Sequence, residues 1–337
     1  MSGADSEAAG NGVNDRQTGG EEPLTEARYG PVRVLFGARG GRYPDGNSLL
    51  VAGDRETLII DPALGVIPRL AELPRVHRVL NSHCHEDHIA GNHLFPNVPW
   101  HLHEADRPGI TSLDAMMAIY GMDDAADAFF RQALEEQFHF TPRPDALPLH
   151  GGDHFDLGGV TLEVVHTPGH TRGHCCFRIE WREHGQRRQL LYLGDIELTS
   201  FGPYYGDAWS DLGDFERSLA QVRSLEADWY ATFHHIGVLE GQAAFLTRLD
   251  RFSAVIDQRE ARLLEYLREP RTLDEVVAHR FVYRPADRVP FADAVERRSM
   301  GQHIDRLLAA GRLREDPTGR YQVAGPPGPT PGGPTSA

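Results

Sequence analysis

Lysine is absent. All 34 basic residues of the 337-residue chain are arginines, set against 49 Asp and Glu, for a formal net charge of −15. Without an amine side chain there is no Schiff-base or pyridoxal-phosphate chemistry and no P-loop lysine. Cysteine is scarce. Cys84, Cys175 and Cys176 make no disulfide framework, contain no Cys-x-x-Cys pair for a structural zinc, and suit a reducing compartment. No run approaches the ~18 apolar residues of a membrane span, and no hydrophobic signal core opens the chain. The expectation is a cytoplasmic protein without a membrane partner. The acid excess argues against nucleic-acid binding over the whole surface. Apolar residues at 40% and charged residues at 25% are ordinary for a globular chain with room for one large domain and an appendage.

Histidine, by contrast, occurs 18 times and unevenly. Residues 1–27 hold six acids against one Arg, and 325–337 are mostly Pro, Gly and Thr; both read as disordered tails. Between them, apolar runs at 32–36, 48–52, 56–60, 76–80, 161–166, 175–181, 190–193 and 229–233 read as strands, and 215–225 and 242–267 as helices. The mixture predicts an α/β (α+β) domain over 28–267 in which helices cover sheets. Residues 104–140 read as a helical insertion, with Phe130, Leu134 and Phe138 on one face and Met116, Met117 and Tyr120 nearby. That stripe fits either a core or a cap lining an apolar pocket. Residues 268–324 combine a capping-box-like start at 272–275, an amphipathic helix at 295–310 and a strand–turn–strand, as in a small winged-helix-like module. With 11 Arg against 9 acids, it is the only part of the chain that is not acidic.

Chemistry concentrates behind the strand at 76–80, in His83-Cys84-His85-Glu86-Asp87-His88. Neutral imidazoles and carboxylates are metal ligands, and His-x-His places two rings on the same side of an extended turn. Asp87 and His88 can then address a second position. Later strands also end on candidates: His170 and His174 in 167–174, Asp195 after 190–193, and His234-His235 after 229–233. Strand ends are where ligand sites of layered folds gather, and this set suffices for two divalent ions.

These motifs resemble the metallo-β-lactamase superfamily over roughly residues 30–265, with HxHxDH standing as HCHEDH at 83–88 and TPGHTRGH, GD and a strand-end His following in the family's order. The resemblance implies an αββα sandwich with metals at one edge. It makes His83, His85 and His170 ligands of one zinc, and Asp87, His88 and a last histidine ligands of a second, with Asp195 bridging both. The last histidine is His234 or His235; the family's Gly-His-Gly aligns best with His235, which is the choice taken. Asp61 matches an acid that orients ligand imidazoles, His174 is either a ring support or purely structural, and Cys84 occupies a variable position. The C-terminal part resembles the winged-helix-like region of β-lactamase-like protein 2 relatives.

Two zinc ions per chain imply hydrolysis by a metal-bridging hydroxide oriented by Asp87, the metals stabilising the oxyanion. The leading expectation is a dinuclear zinc hydrolase of a small carboxylic ester, thioester or lactone. Tyr204 or Tyr205, in the aromatic loop 201–209, would donate to the oxyanion, and the partner would be a small acyl molecule. One alternative is a phosphodiesterase or ribonuclease, although no Arg cluster in the C-terminal module interleaves with aromatics. Another is a mononuclear iron persulfide dioxygenase. The C-terminal module either covers one end of the sandwich or mediates a homodimer.

Overall fold

The computed structural model describes residues 25–122, 124–287 and 289–324. In chain order the first half comprises β1 (Glu26–Tyr29), β2 (Val32–Leu35), α1 (Ala38–Gly41), β3 (Ser48–Ala52), β4 (Thr57–Ile60), β5 (Arg78–Leu80), α2 (Glu86–Ile89), β6 (Trp100–His103), α3 (Leu113–Tyr120), α4 (Asp124–Glu136) and β7 (Leu147–Leu149). Then come β8 (His154–Asp156), β9 (Val160–His166), β10 (Cys175–Glu183), β11 (Gln186–Tyr192), α5 (Leu212–Arg223), β12 (Trp229–Ala231), β13 (Val238–Glu240) and α6 (Gln242–Tyr266). The chain closes with α7 (Leu273–His279), α8 (Ala292–Ala309), β14 (Leu313–Glu315) and β15 (Tyr321–Val323). β1 to β7 form one sheet in chain order, antiparallel as far as β4 and parallel thereafter. β8 to β13 form the second, antiparallel except where β12 joins β11.

Strand periodicity sorts the side chains between layers. Leu49 and Val51 of β3 and Leu58 and Ile60 of β4 face the second sheet, whereas Leu50 and Ile59 face outward beneath helices. Phe177 and Ile179 of β10 and Leu190 and Tyr192 of β11 fill the same inter-sheet core, while Cys176 and Leu191 turn to the opposite face. Met116, Ile119, Tyr120, Phe130 and Leu134 of α3 and α4 seal the outer face of the first sheet. Phe215 and Leu219 of α5, with Phe245, Leu249 and Phe252 of α6, seal that of the second. The result is an αββα sandwich. Each large apolar side chain taken out of water in this way contributes about 1.5–3 kcal/mol.

The short strands β6, β7, β8 and β13 were not legible as apolar runs. β11 also begins at Gln186, ahead of its apolar stretch, because Arg187 and Gln189 reach Glu180 on β10. β1 starts at Glu26, inside the stretch 1–27 read as a tail; residues 1–24 and 325–337 lie outside the described residues.

The C-terminal elements are continuous with the sandwich. α6 contributes Phe245 to Ile256 to one core, and Leu263 to a second core shared with Val276, Met300, Ile304 and Leu307. α7 opens on a capping box between Thr272 and Glu275. From α8, Gln302 accepts from Leu212 N at 2.6 Å and donates to Tyr205 O at 3.0 Å. The buried Glu296 carboxylate accepts from the backbone N–H groups of Phe281, Val282 and Tyr283 at 2.8–2.9 Å. These hydrogen bonds fix the 281–283 segment, whose Tyr283 lines the cavity over the strand ends.

Candidate metal centre

The ends of β4, β5, β9, β11 and β12 meet with α2 at one rim. β4 ends on Asp61, whose φ of +45° turns the chain, and its carboxylate gathers four donors or rings. Ser82 N and Oγ donate to it at 2.7 and 2.6 Å, Tyr192 OH donates at 2.7 Å, and His88 Nδ1 lies at 2.8 Å. Binding Nδ1 in this way commits His88 Nε2 to the centre, the usual role of a carboxylate behind a ligand imidazole. His170 Nδ1 is held in the same manner by Tyr204 O at 3.0 Å, and His234 Nδ1 by Gly41 O at 2.8 Å.

The freed nitrogens converge. His85 Nδ1 lies 3.0 Å from His83 Nε2 and 2.9 Å from His170 Nε2, and His170 Nε2 lies 3.1 Å from Asp195 Oδ2. A second group joins Asp87, His88 and His234, with His234 Nε2 3.0 Å from Asp87 Oδ2. Asp195 faces both. Its Oδ2 meets the first group, while its Oδ1 lies 2.9 Å from His88 Nε2 and 4.0 Å from His234 Nε2. All of these side chains are buried, and neither His88 Nε2 nor Asp195 Oδ1 has a hydrogen-bond partner among the described residues. Imidazole and carboxylate lone pairs converging in a buried site are what divalent cations would satisfy, and the mixed donor set fits them.

The electrostatics agree. Burial, then the neighbouring His88 and His85 rings, push His83 well below the usual imidazole range. Burial works against ionisation of Asp195, but His88 and His170 hold its carboxyl well below the ordinary value. Burial likewise opposes a charged His234, yet Asp195 and Asp87 raise it to about 10. Carboxylates that attract a proton there attract a metal cation in its place.

His174 is a support. Its Nε2 accepts from Asp195 N at 3.1 Å, and its Nδ1 approaches Thr167 Oγ1 at 2.9 Å. A Cβ on Gly194, at φ +53°, would lie 2.6 Å from that Nε2, so glycine is required for this close approach. Cys84 is buried in the apolar core behind the first sheet, and burial pushes its thiol well up.

Two sequence expectations are corrected. His235 is not in the cluster; His234 is. The chain turns into the left-handed region at His235 (φ +58°), with Ile236 N donating to His234 O at 2.8 Å, and the His235 ring is left on the cavity wall. Tyr204 and Tyr205 separate, as successive residues of an extended segment do. Tyr204 lines the cavity and donates to Asp207 Oδ1 at 2.9 Å. Tyr205 is buried away from it, its hydroxyl 2.9 Å from His303 Nε2 on α8, so it packs the C-terminal elements onto the sandwich and does not face an oxyanion.

Sequence reasoning missed several wall residues. Asp207 Oδ2 stands 3.0 Å from His85 Nε2 and, against the penalty of burial, raises that imidazole to about 9. An acid inside the aromatic 201–209 loop was the available signal. Glu86 is buried and accepts from Tyr43 OH at 2.9 Å and from Tyr120 OH, joining three distant segments. The cavity over the centre has a volume of about 140 Å³. Tyr120, Met122 and Phe130 wall one side, and Tyr283, Asp287 and Phe291 from the C-terminal elements wall another. The Met- and aromatic-rich insertion therefore serves as both core and pocket.

The sequence is 31% identical over 153 residues to an uncharacterised protein of Mycobacterium tuberculosis (strain H37Rv), covering 42% of this chain and 62% of that one. The chain thus spans about three fifths of the length of its mycobacterial relatives. It is 30% identical over 206 residues to the acyl-coenzyme A thioesterase MBLAC2 of Gallus gallus, covering 54% of this chain and 69% of that protein. The fold is that of a metallo-beta-lactamase family protein from Thermus thermophilus, with a TM-score of 0.64 at 24% identity over 87% of this chain and 98% of the other. Residues 42–235 match the metallo-beta-lactamase superfamily. With the αββα sandwich and the two ligand clusters at its rim, the chain belongs to the metallo-β-lactamase superfamily.

Proposed function

We propose that this chain is a two-metal hydrolase of an acyl thioester. The observation that carries this reading is Asp195, with one carboxylate oxygen toward each of two imidazole-rich clusters on the floor of a cavity walled by aromatic side chains. The donor set suits zinc, two per chain, with His83, His85 and His170 at one position, Asp87, His88 and His234 at the other, and Asp195 between them. A pair of such ions supplies Lewis acidity and lowers the pKa of water to near neutrality. The chain's own groups do the rest. Asp207 and the Tyr204 carbonyl hold the outer nitrogens of His85 and His170, and Asp61 holds that of His88. Asp87 lines the cavity and is placed to orient the attacking water and pass its proton to the leaving group. Water oxygen bonds to the acyl carbon, the C–S bond breaks with its electron pair on sulfur, and the proton ends on the thiol.

The walls favour an acyl group over a nucleic acid. Tyr120, Met122, Phe130 and Phe291 present an apolar surface, and among the described residues lining the cavity there is no arginine. Apart from the metal positions and histidines, the described cavity lining offers no cationic side chain to track a nucleic-acid backbone. The thioesterase named among the relatives supports the same choice.

Asp87→Ala is expected to keep the fold and lose turnover on an acyl thioester by about a thousandfold or more. A panel of acyl thioesters, lactones and RNA, assayed on the zinc-loaded protein with circular dichroism as the fold control, checks this. RNA cleavage without thioester hydrolysis would refute the reading.

A further inference from the structure

A second cavity, of about 310 Å³, adjoins the first and shares Phe201 and Asp287 with its wall. Its character is opposite. Arg259, Arg262 and Arg284 line it, with Asp287 the only acid among the described lining residues. In a chain of formal charge −15, most arginines near this region are neutralised: Arg306 pairs with Glu216 and Glu260, and Arg280 with Asp293. Among the described residues, no carboxylate lies within ion-pair distance of Arg259 or Arg262.

The guanidiniums are held in place. Arg259 is buried and donates to Pro203 O at 2.6 Å and Phe201 O at 2.8 Å. Arg262 donates to Phe281 O and Arg280 O, each at 3.1 Å, and lies over the Phe281 ring. Arg284 is braced by Asp287. A guanidinium has five N–H donors, so two carbonyl contacts leave donors of Arg262 for an anion. A fixed fork of this kind matches phosphate: Arg259 is the buried cation behind the cavity, with no carboxylate partner among the described residues, and Arg262 and Arg284 are exposed and accessible to an anion from solution.

We infer that this arginine-lined cavity binds the phosphate groups of a phosphopantetheine thiol carrier, with free coenzyme A as the occupant, while the acyl group lies over the metal centre. The inference rests on the thioester reading above and names the leaving group. Acid lines the cavity where a neutral thioester reacts, arginine lines the one where the carrier's charge sits, and Phe201 separates them. Three arginines in one cavity match the several phosphate charges of free coenzyme A better than the single phosphodiester of a carrier-protein arm, which favours free coenzyme A.

The test uses the full chain, with Arg262→Ala, Arg284→Ala and the charge-preserving Arg262→Lys. Calorimetric titration with coenzyme A, in protein stripped of metal and in protein loaded with zinc, is expected to show binding. Each Ala variant weakens it about tenfold, and Arg262→Lys restores part of the loss. In zinc-loaded wild type, the KM for acyl-coenzyme A should lie about tenfold below that for the same acyl group on unphosphorylated pantetheine, and this ratio should collapse toward one in the Ala variants. Unaltered coenzyme A binding in both Ala variants would overturn the inference. So would a preference for acylglutathione, or for the acyl group on a carrier protein, over acyl-coenzyme A. If no thioester is hydrolysed while coenzyme A still binds through the arginines, the catalytic reading fails and the site stands.

Discussion

Asp195→Asn is expected to hold fewer than two metal ions per chain and to lose turnover by about a thousandfold or more, some 4 kcal/mol of barrier. The substitution conserves volume and removes only charge and one acceptor. Among the described residues, Asp195 is the side chain with an oxygen toward each cluster: Oδ2 is 3.1 Å from His170 Nε2, and Oδ1 is 2.9 Å from His88 Nε2. An amide offers one neutral oxygen where the carboxylate offers two anionic ones, so one position keeps its imidazoles and loses its shared anion. In the metal-free protein the ionised Asp195 is paired with His88 and His170, so the metal-free variant should keep its fold by circular dichroism while its thermal transition falls. Turnover within threefold of the wild type would show that Asp195 does not join the two positions.

The second large effect separates two adjacent residues. His234→Ala is expected to lose one of the two metals and at least about a hundredfold in turnover. His235→Ala should keep both metals, because its ring stands on the cavity wall outside the ligand set. The difference is set by backbone geometry. His234 Nδ1 is anchored on Gly41 O, placing Nε2 3.0 Å from Asp87, and the left-handed turn at His235 swings the next ring away. Elemental analysis of the two variants, prepared identically, decides the matter. Loss of a metal from His235→Ala and not from His234→Ala would reverse the assignment.

That pair also marks how far the sequence could be read. HCHEDH is legible because three imidazoles and two acids within six residues, directly behind an apolar strand, have few structural uses. β3, β4, β10 and the apolar end of β11 were legible as continuous apolar runs because each has two buried faces, one toward the other sheet and one toward helices. The choice between His234 and His235 was not legible, since it depends on a carbonyl 193 positions away and on one positive φ. Tyr205 failed for a related reason. The aromatic loop was seen, but which of two neighbouring rings faces the cavity is decided by α8, through His303 and Gln302. Glu86, Tyr43 and Tyr120 meet only in three dimensions, and no spacing in the chain announces them. Residues 268–324 were read as a winged-helix-like module whose role was left open between covering one end of the sandwich and dimerising, and no local pattern announced that Tyr283, Asp287 and Phe291 line the cavity. Their part in the site follows from packing that local patterns do not record.

If these side chains hold two cations together, the metal content of the protein reports it. Protein stripped by chelator, dialysed against zinc and analysed for metal per chain should take up close to two equivalents, with thioester hydrolysis returning as the second binds. Uptake of none, or full hydrolytic activity in the stripped protein, would rule out a two-metal hydrolase.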